Sequence, residues 1–112
     1  MRRTVLFLLL AGCSKGPEAD LQYVSQARSL GAEWALVNEQ AAEGRLTANY
    51  VEAMREALRD QLTTNQSALS EPQSAYGQEI QALLAEPRDA APAALRAHAA
   101  KLKSIEDDLE SD

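Results

Sequence analysis

Cys13 and His98 are the only cysteine and the only histidine of this 112-residue chain. They are its best candidates for covalent and for proton-transfer chemistry. A thiolate is a strong nucleophile. Cys13 follows Leu10-Ala11-Gly12, so small side chains leave room for another molecule to reach its sulfur. His98 as a general base would need a nucleophile or a carboxylate partner, and the sequence supplies no second member of such a set. It falls on an apolar seam between Leu95 and Leu102, which predicts a partly buried imidazole. One histidine and one cysteine cannot complete a tetrahedral metal site, so no metal or other cofactor is expected. Glu106, Asp107, Asp108, Glu110 and Asp112 could offer oxygens to calcium, but they lack the spacing and turn glycine of a calcium loop; a solvated charged end is expected. Glu52, Glu56 and Asp60 form an acidic row beside Arg55 and Arg59, with contacts worth about 0.2–0.5 kcal/mol each on a solvated face. Trp34, Tyr23 and Tyr50 are the candidate recognition residues, because aromatics anchor interfaces. Trp34 lies on a helical seam, where packing in the core competes with that role. No catalytic residue is assigned, and the chain is not expected to be an enzyme.

The N-terminus places Cys13 in a wider pattern. Arg2 and Arg3 give a basic start, Val5 to Leu10 is unbroken apolar sequence, and Ala11 and Gly12 precede the cysteine. This arrangement resembles the lipobox of a bacterial lipoprotein signal peptide. The resemblance implies transfer of a diacylglycerol to the Cys13 thiol, cleavage between Gly12 and Cys13, and acylation of the new amino group. A membrane-spanning helix is excluded by length: ten residues from Thr4 to Cys13 make about 15 Å of helix against a hydrocarbon core of about 30 Å. Two or three acyl chains hold a protein stably on a bilayer, whereas one does so only marginally. Many diderm bacteria retain lipoproteins at the inner membrane when aspartate follows the lipidated cysteine. Ser14 stands there in this chain, so the resemblance implies sorting to the outer membrane, with the folded part in the periplasm.

Cleavage would remove Arg2 and Arg3, and the net charge would move from −6 to −8. Such acidity without a basic cluster argues against nucleic-acid binding, which depends on phosphate neutralisation. It also argues against electrostatic adhesion to anionic lipid, leaving the acyl chains as the expected anchor. With Cys13 lipidated no thiol remains for a disulfide, so the fold must rest on packing. The mature region is rich in alanine, the strongest helix former, and shows no alternating β-branched runs. The expected fold is all-α: a small antiparallel helical bundle, or a helical hairpin, of three to four helices. Residues 1–12 are the signal peptide, 13–19 a lipidated tether and 20–110 the helical domain.

The first helix is predicted from near Glu18 to Glu43, with a seam of Tyr23, Ala27, Leu30, Trp34, Val37 and Ala41, and Val24 beside it. Gly31 within it is tolerable where a neighbouring helix comes close, and Gly44 suits a left-handed stop. Thr47 should cap the second helix, with Leu46 stapled onto Val51 and a seam of Val51, Met54, Leu58, Leu62, Asn65 and Leu69. The short Gly44–Thr47 link makes these two helices antiparallel neighbours. Ser70 with Gln73 has the form of a capping box for a shorter helix ending near Ala85. Asp89, between Pro87 and Pro92, should cap the last helix, which carries Leu95, His98, Leu102, Ile105 and Leu109. The acids at its end oppose the helix dipole and predict a frayed last turn. The functional expectation is a non-enzymatic lipoprotein with a structural or protein-interaction role, acting on a protein partner or as a homo-oligomer. The alternative is a small ligand-binding or enzyme-accessory lipoprotein, which a pocket lined by Trp34, Tyr50 and His98 would favour.

Overall fold

The computed structural model describes residues 16–111. The expected signal segment 1–12, Cys13 and the start of the expected tether lie outside the described residues. Among the described residues there are four helices and no strands: α1 Pro17–Ala42, α2 Ala48–Ala68, α3 Ala75–Leu84 and α4 Pro92–Glu110.

α1 begins at Pro17, one residue before the expected Glu18. Pro17 occupies the first turn, where its missing N–H costs nothing, and Glu18 and Asp20 place negative charge at the positive end of the dipole. The Gly16 carbonyl accepts from the backbone N–H groups of Ala19 and Asp20 at 3.1 and 3.2 Å. At the other end Gly44 takes φ +72°. There the Arg45 N–H donates to the Gln40 carbonyl and the Gly44 N–H to the Ala41 carbonyl, both at 3.0 Å. That pairing satisfies carbonyls the helix leaves open and turns the chain back. Thr47 caps α2 as expected, its hydroxyl accepting from the Tyr50 N–H at 3.2 Å.

Two caps depart from expectation. Ser74, not Ser70, caps α3, accepting from the Gly77 N–H at 3.2 Å. Ser70 is unavailable because its N–H and hydroxyl both donate to Asp20, which draws residues 70 and 71 back to α1. Gly77 then lies so close to the Pro72 carbonyl that a Cβ would collide with it. Asp89 does not cap α4 either. The capping residue is Ala91, without a side-chain bond, and Pro92 opens the helix. Here the Arg88 and Ala90 carbonyls are held by α1 side chains, and Pro92 has no N–H to satisfy. At its C-terminus α4 extends to Glu110, with the Ser111 N–H donating to the Asp107 carbonyl at 3.1 Å. Arg28–Glu106 at 2.6 Å and Lys103–Asp107 at 2.9 Å bring cations to that acidic turn.

The bundle is organised around α1. α4 packs along it most extensively, α2 lies antiparallel on another side, and α3 bridges α2 and α4. A Cβ at Gly31 would stand 3.2 Å from the Leu83 Cδ2 and 3.7 Å from the Ala99 Cβ, so the bare backbone lets α3 and α4 close on α1. Val24, Trp34, Leu58, Leu62, Ile80, Leu83, Leu95 and Leu102 form the most buried part of the core. The buried stripe of α1 is Asp20, Val24, Ala27, Gly31, Trp34 and Asn38, flanked by Leu30 and Val37. Tyr23 and Ala41, expected in the seam, are only partly covered.

Candidate functional site

Three polar clusters fasten the bundle, and each is built on a side chain of α1 or α4. The first surrounds Asp20, 1% exposed. Its carboxylate accepts from the Tyr76 hydroxyl at 2.6 Å, the Ser70 N–H at 2.8 Å, the Ser70 hydroxyl at 3.0 Å and the Glu71 N–H at 3.1 Å. Burial alone would raise its pKa, but these bonds outweigh it and hold the group below the ordinary 3.8. Burial and the bond to Asp20 push the Tyr76 phenol up to about 12. The Gly16 N–H also donates to the Ser70 hydroxyl, at 3.0 Å, so the first described residue is tied into the same knot.

The second cluster holds the segment between α3 and α4. The Trp34 Nε1–H donates to the Arg88 carbonyl at 3.0 Å. Asn38 Nδ2 donates to the same carbonyl at 3.1 Å and to that of Ala90 at 2.8 Å, while its oxygen accepts from Arg55 Nε at 2.9 Å. The Arg59 guanidinium lies 5.4 Å from the Trp34 ring centroid, a cation–π contact, and also donates to the Glu86 carbonyl at 3.1 Å.

The third cluster surrounds His98. Its Nδ1 is 2.5 Å from Glu79 Oε2 and its Nε2 is 2.8 Å from Glu86 Oε2. The side chain is 18% exposed, the partly buried setting that its place on the seam predicted. Burial pulls the imidazole pKa down, but hydrogen bonds to Glu79 and Glu86 outweigh it and raise it above the ordinary 6.5. A ring held at both nitrogens offers none to a substrate.

The three aromatics singled out as recognition residues are not brought together. Trp34 is fully buried, Tyr23 packs partly against the core, and Tyr50 is 50% exposed at the start of α2. Tyr50 lies beside the Gly44 turn at the far end of α1, about 30 Å along the axis from Tyr23. Leu36, on the outer face of α1, is the other large apolar side chain exposed to half its surface. The Trp34–Tyr50–His98 pocket that would favour ligand binding is not formed: Trp34 is packed and His98 is engaged by carboxylates. An open groove of about 630 Å³ lies instead beside the start of α1, with Glu18, Tyr23, Ala68, Ser70, Glu106 and Glu110 among its walls. Among the described residues no group of three or more His, Cys, Asp or Glu side chains is disposed to hold a metal ion. None of their helices is long and apolar enough to cross a membrane.

Asp20, Asn38, Glu79 and Glu86 were not singled out from the sequence. Only Asp20 and Asn38 carried a signal there: they extend the Val24–Ala27–Gly31–Trp34 spacing at both ends. Fold and clusters define a small four-helix bundle closed by polar fastenings. No family model, no curated protein and no solved structure matches the chain.

Proposed function

We propose that the protein is a lipid-anchored lipoprotein of the bacterial cell envelope, attached through Cys13 and acting without catalysis, in a structural or protein-interaction role. The observation that carries this is the basic start, the apolar run and the Leu10-Ala11-Gly12-Cys13 ending. On this reading the orientation of the bundle follows. Gly16, three residues beyond Cys13, is bonded to Ser70 on the folded body. Three residues span at most about 11 Å, so an anchor at Cys13 keeps the α1 end of the bundle at the bilayer surface. The Gly44 turn, with Tyr50 beside it, then projects into the periplasm as the part free to meet a partner.

Maturation is tested by intact mass of the membrane-extracted protein. The expected species has lost residues 1–12 and gained acyl mass, and Cys13→Ala abolishes both changes. An unmodified Cys13 in the mature native protein would refute the anchor. Placement is tested separately, by density-gradient fractionation of membranes. With Ser14 after the cysteine, the protein should travel with outer-membrane markers, and co-sedimentation with the inner membrane would overturn that assignment. A ligand-binding or enzyme-accessory role draws on the groove beside the start of α1, and a bound small molecule in the extracted monomer would favour it.

A further inference from the structure

The contacts of His98 have a chemical requirement of their own. An ionised carboxylate accepts hydrogen bonds and donates none, and a neutral imidazole has only one N–H. Carboxylate oxygens face both ring nitrogens of His98, at 2.5 and 2.8 Å. An imidazolium satisfies both contacts, whereas a neutral ring would set a lone pair against one of the carboxylates. We propose that Glu79, His98 and Glu86 form an acid-closed clasp that fastens α4 to α3 and to the segment 85–91, and that loss of the ring proton releases that segment.

The charges around the ring agree with this assignment. Glu79 faces it from α3 and Glu86 from the connecting segment. On α4 itself Lys101 lies 3.8 Å from the other oxygen of Glu79. From α2, Arg59 reaches the Glu86 carbonyl rather than its carboxylate. The α1 charges that face α4 are engaged elsewhere, Arg28 with Glu106 and Glu39 with Arg96. The two carboxylates therefore dominate, and they favour the charged ring.

The segment 85–91 is a joint for the whole bundle, because its carbonyls at Glu86, Arg88 and Ala90 receive Arg59, Trp34 and Asn38. Freeing Glu86 loosens the stretch that covers the edge of the indole. The pH window follows from the raised pKa of His98. The stabilisation is complete below 6.5, the ordinary value, and is lost as pH rises through the folded value. Each unit by which the folded pKa exceeds the unfolded one appears as about a tenfold loss in the folding constant above that window.

Because the chain has a single histidine and a single tryptophan, NMR of the full chain in non-ionic detergent reads both groups without ambiguity. Between about pH 5 and pH 9 the His98 ring should titrate above its ordinary value, and the Trp34 indole N–H and the amides of residues 86–90 should follow the same curve. Glu86→Gln should lower the His98 midpoint, and His98→Gln should leave the Trp34 and 86–90 signals flat across that range. Titration of His98 at or below 6.5, or Trp34 and 86–90 signals that ignore it, would overturn the clasp. Should His98→Gln fail to fold, the wild-type and Glu86→Gln titrations still decide the matter.

Discussion

Trp34→Ala is expected to destabilise the protein by about 3–5 kcal/mol, the usual cost of removing a large buried aromatic. The ring has no exposed surface, so truncation leaves a cavity between α1 and α2. It also removes the support beneath the Arg59 guanidinium. The indole N–H contributes separately, and Trp34→Phe isolates it. That variant keeps most of the apolar contact but loses the bond to the Arg88 carbonyl. Asn38 still donates to that carbonyl, so no orphaned acceptor remains and the loss should be nearer 1–2 kcal/mol. Glu39→Ala is the comparison. It breaks an exposed pair with Arg96, worth about 0.2–1 kcal/mol. Urea denaturation of the full chain in non-ionic detergent, followed by far-ultraviolet circular dichroism, supplies all three values. A Trp34→Ala variant as mild as Glu39→Ala would contradict the burial of the ring.

The second large effect is expected at Asp20. Asp20→Ala leaves the Tyr76 hydroxyl, the Ser70 N–H and hydroxyl and the Glu71 N–H without their shared acceptor. Each buried donor left without an acceptor costs about 1–3 kcal/mol, so the loss should reach several kcal/mol. Asp20→Asn retains the shape but turns one acceptor into a donor facing other donors, and should recover only part of the loss. The pH dependence gives an independent signature. The folded pKa of Asp20 is lowered, so its contribution is present above the ordinary 3.8 and lost as pH falls through the folded value. As pH falls from 3.8 towards the folded value, the wild type should therefore weaken more steeply than Asp20→Asn. Equal acid slopes for the two proteins would show that Asp20 is not held as an anion. This window lies well below that of His98, so the two groups can be titrated without interference.

The first two helices could be drawn from sequence almost to the residue, because their ends use local chemistry. Gly44 supplies a left-handed stop, Thr47 an oxygen for the Tyr50 N–H, and the short link between them forces reversal. Beyond Leu69 the determinants are no longer local. Ser70 has the right neighbours to start a helix, yet a carboxylate 50 positions earlier claims it. Asp89 loses its expected place because Trp34 and Asn38 fix the backbone on either side of it. The inner stripe of α1 was read slightly rotated for a related reason. Apolar periodicity ignores Asp20, Gly31 and Asn38, although all three face inward. For His98 the sequence indicated partial burial and gave no sign of its partners. Glu79 and Glu86 are ordinary acids until the turn after α3 brings them to opposite edges of one ring. The lipidation reading depends on residues that lie before Gly16.

The dominance of the α1–α4 contact has a consequence for how the protein is made. Among the described helices, the one that packs most on α1 is made after the other three. Until Pro92–Glu110 arrives, α1 and α2 can pair through their short turn, but the Gly31 side of α1 has only Leu83 of α3 to meet it and lacks Ala99 of α4. The late partner must then find a surface many residues upstream, a non-local step of the kind that slows folding and leaves apolar surface open meanwhile. A nascent chain stalled before α4 should accordingly be a target for holding chaperones and proteases, and a variant truncated before Pro92 should be degraded far faster than the intact chain.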